Sequence, residues 1–311
     1  MADLSARALQ EAADANGLFF RDHTIEQIVA ALDSGKHIVL TGPPGSGKTT
    51  LAYLVAEMAK RAMINTGYLP TTATSEWTSY ETIGGLQPGA DGLFFRPGLF
   101  VEAIIAGQWL VIDEMNRSNF DRAFGQLFTV LSGSSVVLPY KRAGGSQPVS
   151  LVPPGVEAPV ATDPIKLPAT WRIIATMNVF DKNLLFEMSY ALMRRFAFIE
   201  VATPSDEAYC NLLQGPGELV ARLLPVRQLT DLGPAVYLDA SRYVARRLLD
   251  QVTPSRVLFE VFYSYFLPQF EGADERKADQ IFELVGRQLD QAEQVELRRV
   301  VATALGLDLL V

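Results

Sequence analysis

The chain has 311 residues, of which 49% are hydrophobic, and this is enough to build one large domain or two modest ones. Its net charge of −8 argues against constitutive binding of nucleic acid across a broad face. A single cysteine, Cys210, excludes an internal disulfide framework and fits a reducing cytosol, and no apolar run approaches the roughly 18 residues of a membrane span. We therefore expect a cytoplasmic protein that does not interact with a membrane.

Residues 1–16 form an N-terminal segment that lacks the basic start and the apolar core of a signal peptide. In residues 17–203, apolar strand candidates alternate with helical stretches, which predicts an α/β core with a five-stranded parallel sheet. The strand candidates are His37–Thr41, Gly67–Thr72, Trp109–Ile112, Trp171–Thr176 and Phe196–Val201. Only helices are predicted in residues 204–311, which we interpret as an all-α lid subdomain.

A P-loop follows the first predicted strand. Residues Gly42 to Thr49 read GPPGSGKT, and a helical pattern begins at the end of this motif. Backbone N–H groups of such a loop, together with the helix N-terminus, form a cradle for phosphate groups. We expect Lys48 to reach the β- and γ-phosphates and Thr49 to bind Mg²⁺. The predicted nucleotide-binding residues are Gly42, Pro43, Pro44, Gly45, Ser46, Gly47, Lys48, Thr49 and Thr50.

Two adjacent carboxylates, Asp113 and Glu114, end the predicted strand Trp109–Ile112. Asp113 is expected to hold Mg²⁺ directly or through water, and Glu114 to orient and deprotonate the attacking water as a general base. The alternative is an acidic strand end that only faces solvent. Because the pair follows a P-loop, it indicates an enzyme that hydrolyses a nucleoside triphosphate.

Two insertions interrupt the core, at about residues 71–98 and 133–168. The second is rich in Gly, Pro, Ser and Val, and β-ribbons are predicted at Ser135–Pro139 and Val149–Val152. A structureless loop of about 35 residues would be unusual inside a compact domain. We therefore interpret the second insertion as a hairpin with a functional tip.

These features together resemble an AAA+ ATPase of the branch that carries an insert in its second helix and a hairpin before the sensor strand. Within that branch the chain is most similar to the MoxR-like and McrB-like group, often called dynein-related. The resemblance covers roughly residues 17–203 well and the lid weakly, and it implies the sheet order 5-1-4-3-2. The strings that carry it are Phe19-Phe20, Ile83–Gly85, Phe94–Gly98, Ile112–Asn119 (IDEMNRSN), Leu138–Tyr140, Trp171–Asn178 (WRIIATMN) and Tyr190–Phe196 (YALMRRF).

The resemblance implies further catalytic roles for four residues. Asn178 stands where the family has sensor 1, and Arg194 and Arg195 stand where it has an arginine finger that reaches the neighbouring subunit's nucleotide. Arg256 looks like a sensor 2 residue near the phosphates, although its surroundings depart from the usual order by one residue. The alternatives are a polar strand end for Asn178, a basic helix end for the two arginines, and an exposed capping arginine for Arg256.

Residues that follow the acidic pair or lie in the insertions are candidates for contacts between or within subunits of a ring. Asn116, Arg117 and Asn119 could couple the acidic pair to a subunit interface, or form a solvated first turn. Aromatic and basic side chains could line a central pore, where they would grip an extended chain, stack on bases or bind phosphate and acidic peptide. Packing beneath the insert and a solvated loop tip are the alternatives. The pore candidates are Trp77, Tyr80, Tyr140, Lys141 and Arg142.

The function implied by the resemblance is a ring-forming, hexameric NTPase that uses hydrolysis to remodel or translocate a partner macromolecule. ATP and Mg²⁺ are the expected substrate and cofactor, and GTP is the alternative because Asn178 with Asp181 matches a pattern of GTP-using relatives. The chain ends soon after the lid, so we expect a separate effector protein. That effector would be a nuclease subunit, a von Willebrand A-type protein or an enzyme to be remodelled, with nucleic acid contacted through the hairpin tip.

Three other functions remain open at this point. One is a GTP-specific McrB-like motor that translocates DNA for a separate nuclease subunit. Another is a nucleotide-dependent assembly scaffold or switch that hydrolyses slowly or not at all. A monomeric P-loop kinase of small molecules is the third, and it would not need Arg195.

Overall fold

The computed structural model describes residues 4–20, 23–89, 92–178, 193–270 and 273–305. The chain forms two compact units. The first comprises Met1–Leu18, Asp22–Gly42 and Lys48–Val201, and the second comprises Phe19–Arg21, Pro43–Gly47 and Ala202–Val311. The middle of the P-loop thus groups with the second unit, whereas Lys48 and the helix that it begins belong to the first.

All strands among the described residues lie in the first unit. In chain order they are β1 (His37–Gly42), β2 (Tyr68–Thr72), β3 (Gly84–Gly89), β4 (Gly92–Pro97), β5 (Trp109–Asp113), β6 (Val136–Lys141), β7 (Pro148–Val152), β8 (Asp163–Lys166), β9 (Ile173–Asn178) and β10 (Phe196–Glu200). Its helices are α1 (Ala6–Ala15), α2 (Thr24–Asp33), α3 (Lys48–Arg61), α4 (Ser79–Thr82), α5 (Leu99–Ile105), α6 (Phe120–Phe124) and α7 (Leu127–Leu131).

Five parallel strands form the central sheet, in the order β10-β1-β9-β5-β2. Numbered among the five predicted strands, this order reads 5-1-4-3-2. Strands β1, β5 and β9 are buried over most of their length, as the near-continuous apolar runs of a covered parallel sheet require. The prediction of an α/β fold with a five-stranded parallel sheet is confirmed.

The register of this sheet aligns the ends of its three inner strands. Gly42 at the end of β1 lies opposite Asn178 at the end of β9, and Ile112 near the end of β5 lies opposite Ala175. In open α/β sheets, ligands bind at the carboxyl ends of the strands. The P-loop, the acidic pair and Asn178 therefore meet at one edge of the sheet.

The two insertions fold as small sheets of their own. The first contains α4 and the antiparallel hairpin β3–β4, in which Gly84 pairs with Pro97. The second contains the antiparallel pair β6–β7, close to the predicted ribbons. A third strand, β8, pairs parallel to β7 and was not predicted, because its four residues Asp163–Lys166 (DPIK) form too short a run, with a proline in it, to indicate a strand.

The second unit is helical in its described part. Its helices are α8 (Asp206–Leu212), α9 (Gly217–Ala221), α10 (Pro234–Arg247), α11 (Pro254–Val261), α12 (Glu275–Gly286) and α13 (Gln291–Leu305), with a π-helical turn at Phe262–Phe266 and 3-10 turns at Leu224–Gln228, Leu248–Asp250 and Leu267–Phe270. Ser205, Thr253 and Asp274 cap α8, α11 and α12 by accepting a backbone N–H. No helix among the described residues is both long and apolar enough to cross a membrane.

A buried histidine joins the start of β1 to its two neighbours in the sheet. The His37 ring packs at 5.9 Å from the Trp171 ring and 5.2 Å from the Phe196 ring, and its Nδ1 accepts a hydrogen bond from the Ile173 N–H at 3.0 Å. Burial, followed by the positive charges of Arg172, Arg195 and Lys36, lowers the pKa of His37 from 6.5 to about 3. The ring is therefore neutral in the folded protein.

This neutral ring predicts acid destabilisation that starts near pH 6.5. The unfolded chain binds a proton at His37 below pH 6.5 and the folded chain does not, so stability is lost as pH falls from 6.5 towards 3. At pH 5 the loss amounts to about 2 kcal/mol. Urea unfolding at pH 7 and pH 5 should show this loss for the wild type and not for His37→Gln. Above pH 7 the free energies of unfolding of the two proteins should depend on pH in the same way. Equal acid sensitivity of both proteins would contradict a neutral, buried His37 ring.

Candidate functional site

The P-loop contains a buried lysine and two left-handed glycines. Lys48 begins α3, is buried, and donates from Nζ to the Gly42 carbonyl at 3.0 Å. Gly45 and Gly47 have φ of +73° and +87°, which side chains rarely allow. Ser46 is also buried, and its Oγ has no hydrogen-bond partner within the described part of the chain. This loop fits a phosphate group, which would accept hydrogen bonds from its N–H groups, its hydroxyl and its cation.

Burial disfavours the charged form of the Lys48 side chain. Burial lowers the pKa of Lys48 from 10.5 to about 8, and the nearby carboxylates of Asp113 and Glu114 partly offset this effect. An anion at the P-loop would favour the charged form of the ammonium group. The site is therefore built to gain electrostatic stabilisation when a phosphate group binds.

Asp113 links the P-loop helix to the sensor strand through one carboxylate oxygen. Thr49 Oγ1 donates to Asp113 Oδ1 at 2.6 Å, and Thr176 Oγ1 on β9 donates to the same oxygen at 2.5 Å. Hydroxyl and carboxylate oxygens are ligands that Mg²⁺ prefers, usually together with water and substrate phosphates. Thr49 and Asp113, the two predicted Mg²⁺ ligands, thus lie in direct contact.

Glu114 has an unusual backbone conformation next to this pair. Its φ and ψ are 51° and 48°, the left-handed region that is rare for a residue with a side chain. The Glu114 N–H donates to Thr176 Oγ1 at 3.0 Å, and Asn178 Nδ2 lies 3.5 Å from Glu114 Oε1. The structure therefore brings the predicted base and the predicted sensor residue together.

Thr176 is a functional residue that the sequence analysis missed. Its hydroxyl receives the Glu114 N–H and donates to Asp113, so it orients both members of the acidic pair. The only sequence signal is a polar residue in the otherwise apolar run WRIIATM, two positions before Asn178. Thr176 is 1% exposed, and a buried hydroxyl needs such partners.

The two predicted finger residues precede β10. The carbonyl of Arg194 accepts a hydrogen bond from Lys36 Nζ at 2.7 Å, and the carbonyl of Arg195 accepts one from the His37 N–H at 3.0 Å. The Arg194 side chain is exposed, while Arg195 is half-buried and its Nε has no partner among the described residues. Their action on a neighbouring subunit stays a prediction, and Asp181 lies outside the described residues.

Arg256 is engaged by carboxylates of the helical unit. Its guanidinium pairs with Glu296 at 2.5 Å and with Glu260 at 3.3 Å, and it lies 5.0 Å from the centre of the Phe259 ring. The hydrogen bond to Glu296, together with Glu260, raises the pKa of Arg256 above its ordinary value. A role at the phosphates, as the resemblance implied, requires both ion pairs to open.

Within the second unit, a different residue packs against the P-loop segment. The Gly233 N–H donates to the Pro44 carbonyl at 3.2 Å, and the Ala235 N–H donates to the Gly45 carbonyl at 3.4 Å. A Cβ on Gly233 would lie 2.1 Å from the Gly45 carbonyl carbon, so only glycine fits. The start of α10 thus supports the P-loop backbone, which the sequence analysis did not predict.

The pore candidates differ in their surroundings. The prediction for Trp77 is wrong, because its ring is 7% exposed and packs edge-on against Phe100 in the core. Tyr80 is 48% exposed, and Tyr140 stacks on Phe95 at 5.3 Å. Lys141 is exposed at the end of β6, and Arg142 forms an ion pair with Asp163 at 2.9 Å.

Together these features define a class of protein: a P-loop α/β core with a hydroxyl–carboxylate pair and a second carboxylate at the carboxyl edge of a parallel sheet. A family profile for the AAA domain (dynein-related subfamily) matches residues 37–196, more than half of the chain. The chain belongs to this family, whose members are P-loop nucleotide-hydrolysing ATPases.

Individual relatives agree with this family. The chain is 29% identical over 207 residues to the type IV methyl-directed restriction enzyme EcoKMcrB subunit of Escherichia coli K12, a match that covers 61% of this chain and 40% of that protein. It is 29% identical over 253 residues to an uncharacterized protein of Staphylococcus aureus USA300, covering 73% and 88%. The predicted resemblance to the McrB-like AAA+ group is confirmed.

Among solved structures, NtrX from Brucella abortus in complex with ADP aligns with 95% of this chain and 72% of that chain. The sequence identity is 16% and the TM-score is 0.40.

The Asp113 network predicts a stability cost when the Thr176 hydroxyl is removed. Thr176→Val keeps the shape of the side chain but removes the hydrogen bonds of its hydroxyl to the Glu114 N–H and to Asp113 Oδ1. The free energy of unfolding should fall by about 1–3 kcal/mol in a urea titration. Thr176→Ser keeps the hydroxyl, so its free energy of unfolding should fall by clearly less than that of Thr176→Val. A valine variant as stable as the wild type would show that these hydrogen bonds do not contribute to stability.

Proposed function

We propose that this protein is a Mg²⁺-dependent nucleoside triphosphatase that acts as an assembled ring and transmits hydrolysis to a partner macromolecule. The observation that carries the proposal is the shared position of Thr49, Asp113, Glu114 and Asn178 at one sheet edge beside the P-loop. A protein that only binds nucleotide needs the P-loop but has no use for a second carboxylate held in a strained backbone conformation.

Each residue has a chemical task in this proposal. Lys48 and the P-loop N–H groups bind the phosphates, and Thr49 with Asp113 would hold Mg²⁺, which neutralises charge on the phosphate oxygens. Glu114 accepts the proton of the attacking water, and Asn178 orients that water or contacts the γ-phosphate. Thr176 holds the Asp113 carboxylate and the backbone of Glu114 in position.

Assembly would complete the site. An arginine supplied by a neighbouring subunit neutralises charge that develops in the transition state, and Arg195 is the main candidate with Arg194 beside it. A homo-oligomeric ring, six-membered in this proposal, would bring each arginine to the next nucleotide.

The proposal also concerns which nucleotide is hydrolysed and which kind of partner receives the mechanical work. We favour ATP, and a separate effector protein as the recipient of the mechanical work. A GTP-using motor that moves along DNA for a nuclease subunit is the second candidate, and the E. coli relative, named as a subunit of a restriction enzyme, supports it. Comparing turnover of ATP and GTP with and without DNA separates the two.

Turnover tests the enzyme against the slow-switch alternative. Glu114→Gln should keep nucleotide affinity within about threefold of the wild type and lower kcat by a factor of about 10² to 10⁴, because the amide cannot accept the water proton. Lys48→Ala is the matched comparison, since it should weaken binding itself. A wild type that binds tightly and does not hydrolyse would favour the switch.

Mixed assemblies test whether the site is shared. Arg195→Ala should bind nucleotide and lack turnover, because each of its subunits offers no finger to its neighbour. Adding Glu114→Gln subunits, which carry the finger and lack the base, should restore part of the wild-type rate. Unmixed samples of each variant are the controls, and a mixture that stays inactive would contradict catalysis across the interface.

A further inference from the structure

We propose that Arg117 restrains the catalytic carboxylate of Glu114, so that hydrolysis requires the Arg117–Glu114 ion pair to open. Arg117 Nη2 lies 2.6 Å from Glu114 Oε2. This inference rests on the proposed function, because it concerns the residue that we assign as general base. It makes Arg117 a positioning residue that acts through Glu114.

The turn between the two residues fixes this contact. Glu114 starts the turn in the left-handed conformation, and the 3-10 helix Met115–Arg117 follows it, closed by a hydrogen bond from the Arg117 N–H to the Glu114 carbonyl at 2.9 Å. Met115 is fully buried and anchors the turn in the core. The turn therefore places the Arg117 side chain within reach of the Glu114 carboxylate.

The contact interferes with the chemistry expected of Glu114. A general base needs a carboxylate lone pair directed at the water whose proton it removes. Here Arg117 takes Oε2 in a short, charge-assisted pair, while Asn178 lies 3.5 Å from Oε1. With Arg117 in place, Glu114 is held as the partner of a cation instead of the partner of a water.

The exposure of the two side chains indicates which of them moves. The Arg117 side chain is 61% exposed and that of Glu114 is 26% exposed. The guanidinium can therefore swing into solvent or towards another anion at little cost, while Glu114 stays beside Asn178. An exposed pair of this kind is weak and shifts an equilibrium by no more than about fivefold, so it slows the base without blocking it.

Kinetics of Arg117 variants test the restraint. Arg117→Ala should raise basal kcat by about twofold to fivefold and leave KM within twofold, because it frees the base without touching the phosphate cradle. Arg117→Lys, which keeps a positive charge but loses the planar guanidinium, should lie between this variant and the wild type. Rates are compared per protomer at protein concentrations where they no longer rise, so that a change in assembly does not imitate the effect.

Two control variants complete the design. Arg122→Ala removes another exposed arginine five positions further along the chain and should match the wild type. The double variant Arg117→Ala with Glu114→Gln should be as inactive as Glu114→Gln alone, because the gain acts through Glu114.

The outcomes separate the restraint from the proposed function. An unchanged or lower kcat for folded Arg117→Ala, with Glu114→Gln inactive, would overturn the restraint and leave the NTPase assignment standing. Turnover that survives in Glu114→Gln would overturn the base assignment and the restraint with it. Inactivity of both the wild type and Arg117→Ala would overturn the restraint together with the proposed function.

Discussion

The carboxylate of Asp113 is the contact on which the site depends. One of its oxygens accepts hydrogen bonds from Thr49 on α3 and from Thr176 on β9, while Asp113 itself ends β5. Three separate elements of the core are thereby held to a common point at distances of 2.5–2.6 Å. The same Thr176 hydroxyl accepts a hydrogen bond from the Glu114 N–H, so the Asp113 carboxylate and the Glu114 backbone are positioned together.

Sequence alone predicted the parts of this site that are built from short contiguous strings. The P-loop and the acidic pair each depend on a strand that ends and on the few residues after it, so local order determines them. Thr176 was missed because its role comes from the parallel pairing of β9 with β5, which joins residues over sixty positions apart. Gly233 was missed because its need for glycine is visible only when the P-loop backbone lies against it.

In the insertions, too, sequence predicted local structure but not tertiary packing. The hairpin β6–β7 lies close to the predicted ribbons, since its turn-forming and β-branched residues are local signals. Trp77 was assigned to a pore on the ground that it is aromatic and lies in an insertion. Its ring instead packs against Phe100 in the core, because a large apolar surface gains more from burial than from solvent. Composition could not distinguish these two positions.

The surroundings of the arginines bear on the proposal that hydrolysis depends on assembly. Arg256 is held by two carboxylates of the helical unit, and Arg117 is held on the base itself. Arg195, by contrast, keeps an Nε without a partner in the described part of the chain, although its carbonyl is fixed by the His37 N–H. Arg195 is the residue that we propose to contact an anion on another subunit. Restraint of the base within the protomer and supply of the finger from outside would then act in the same direction, making hydrolysis a property of the assembly.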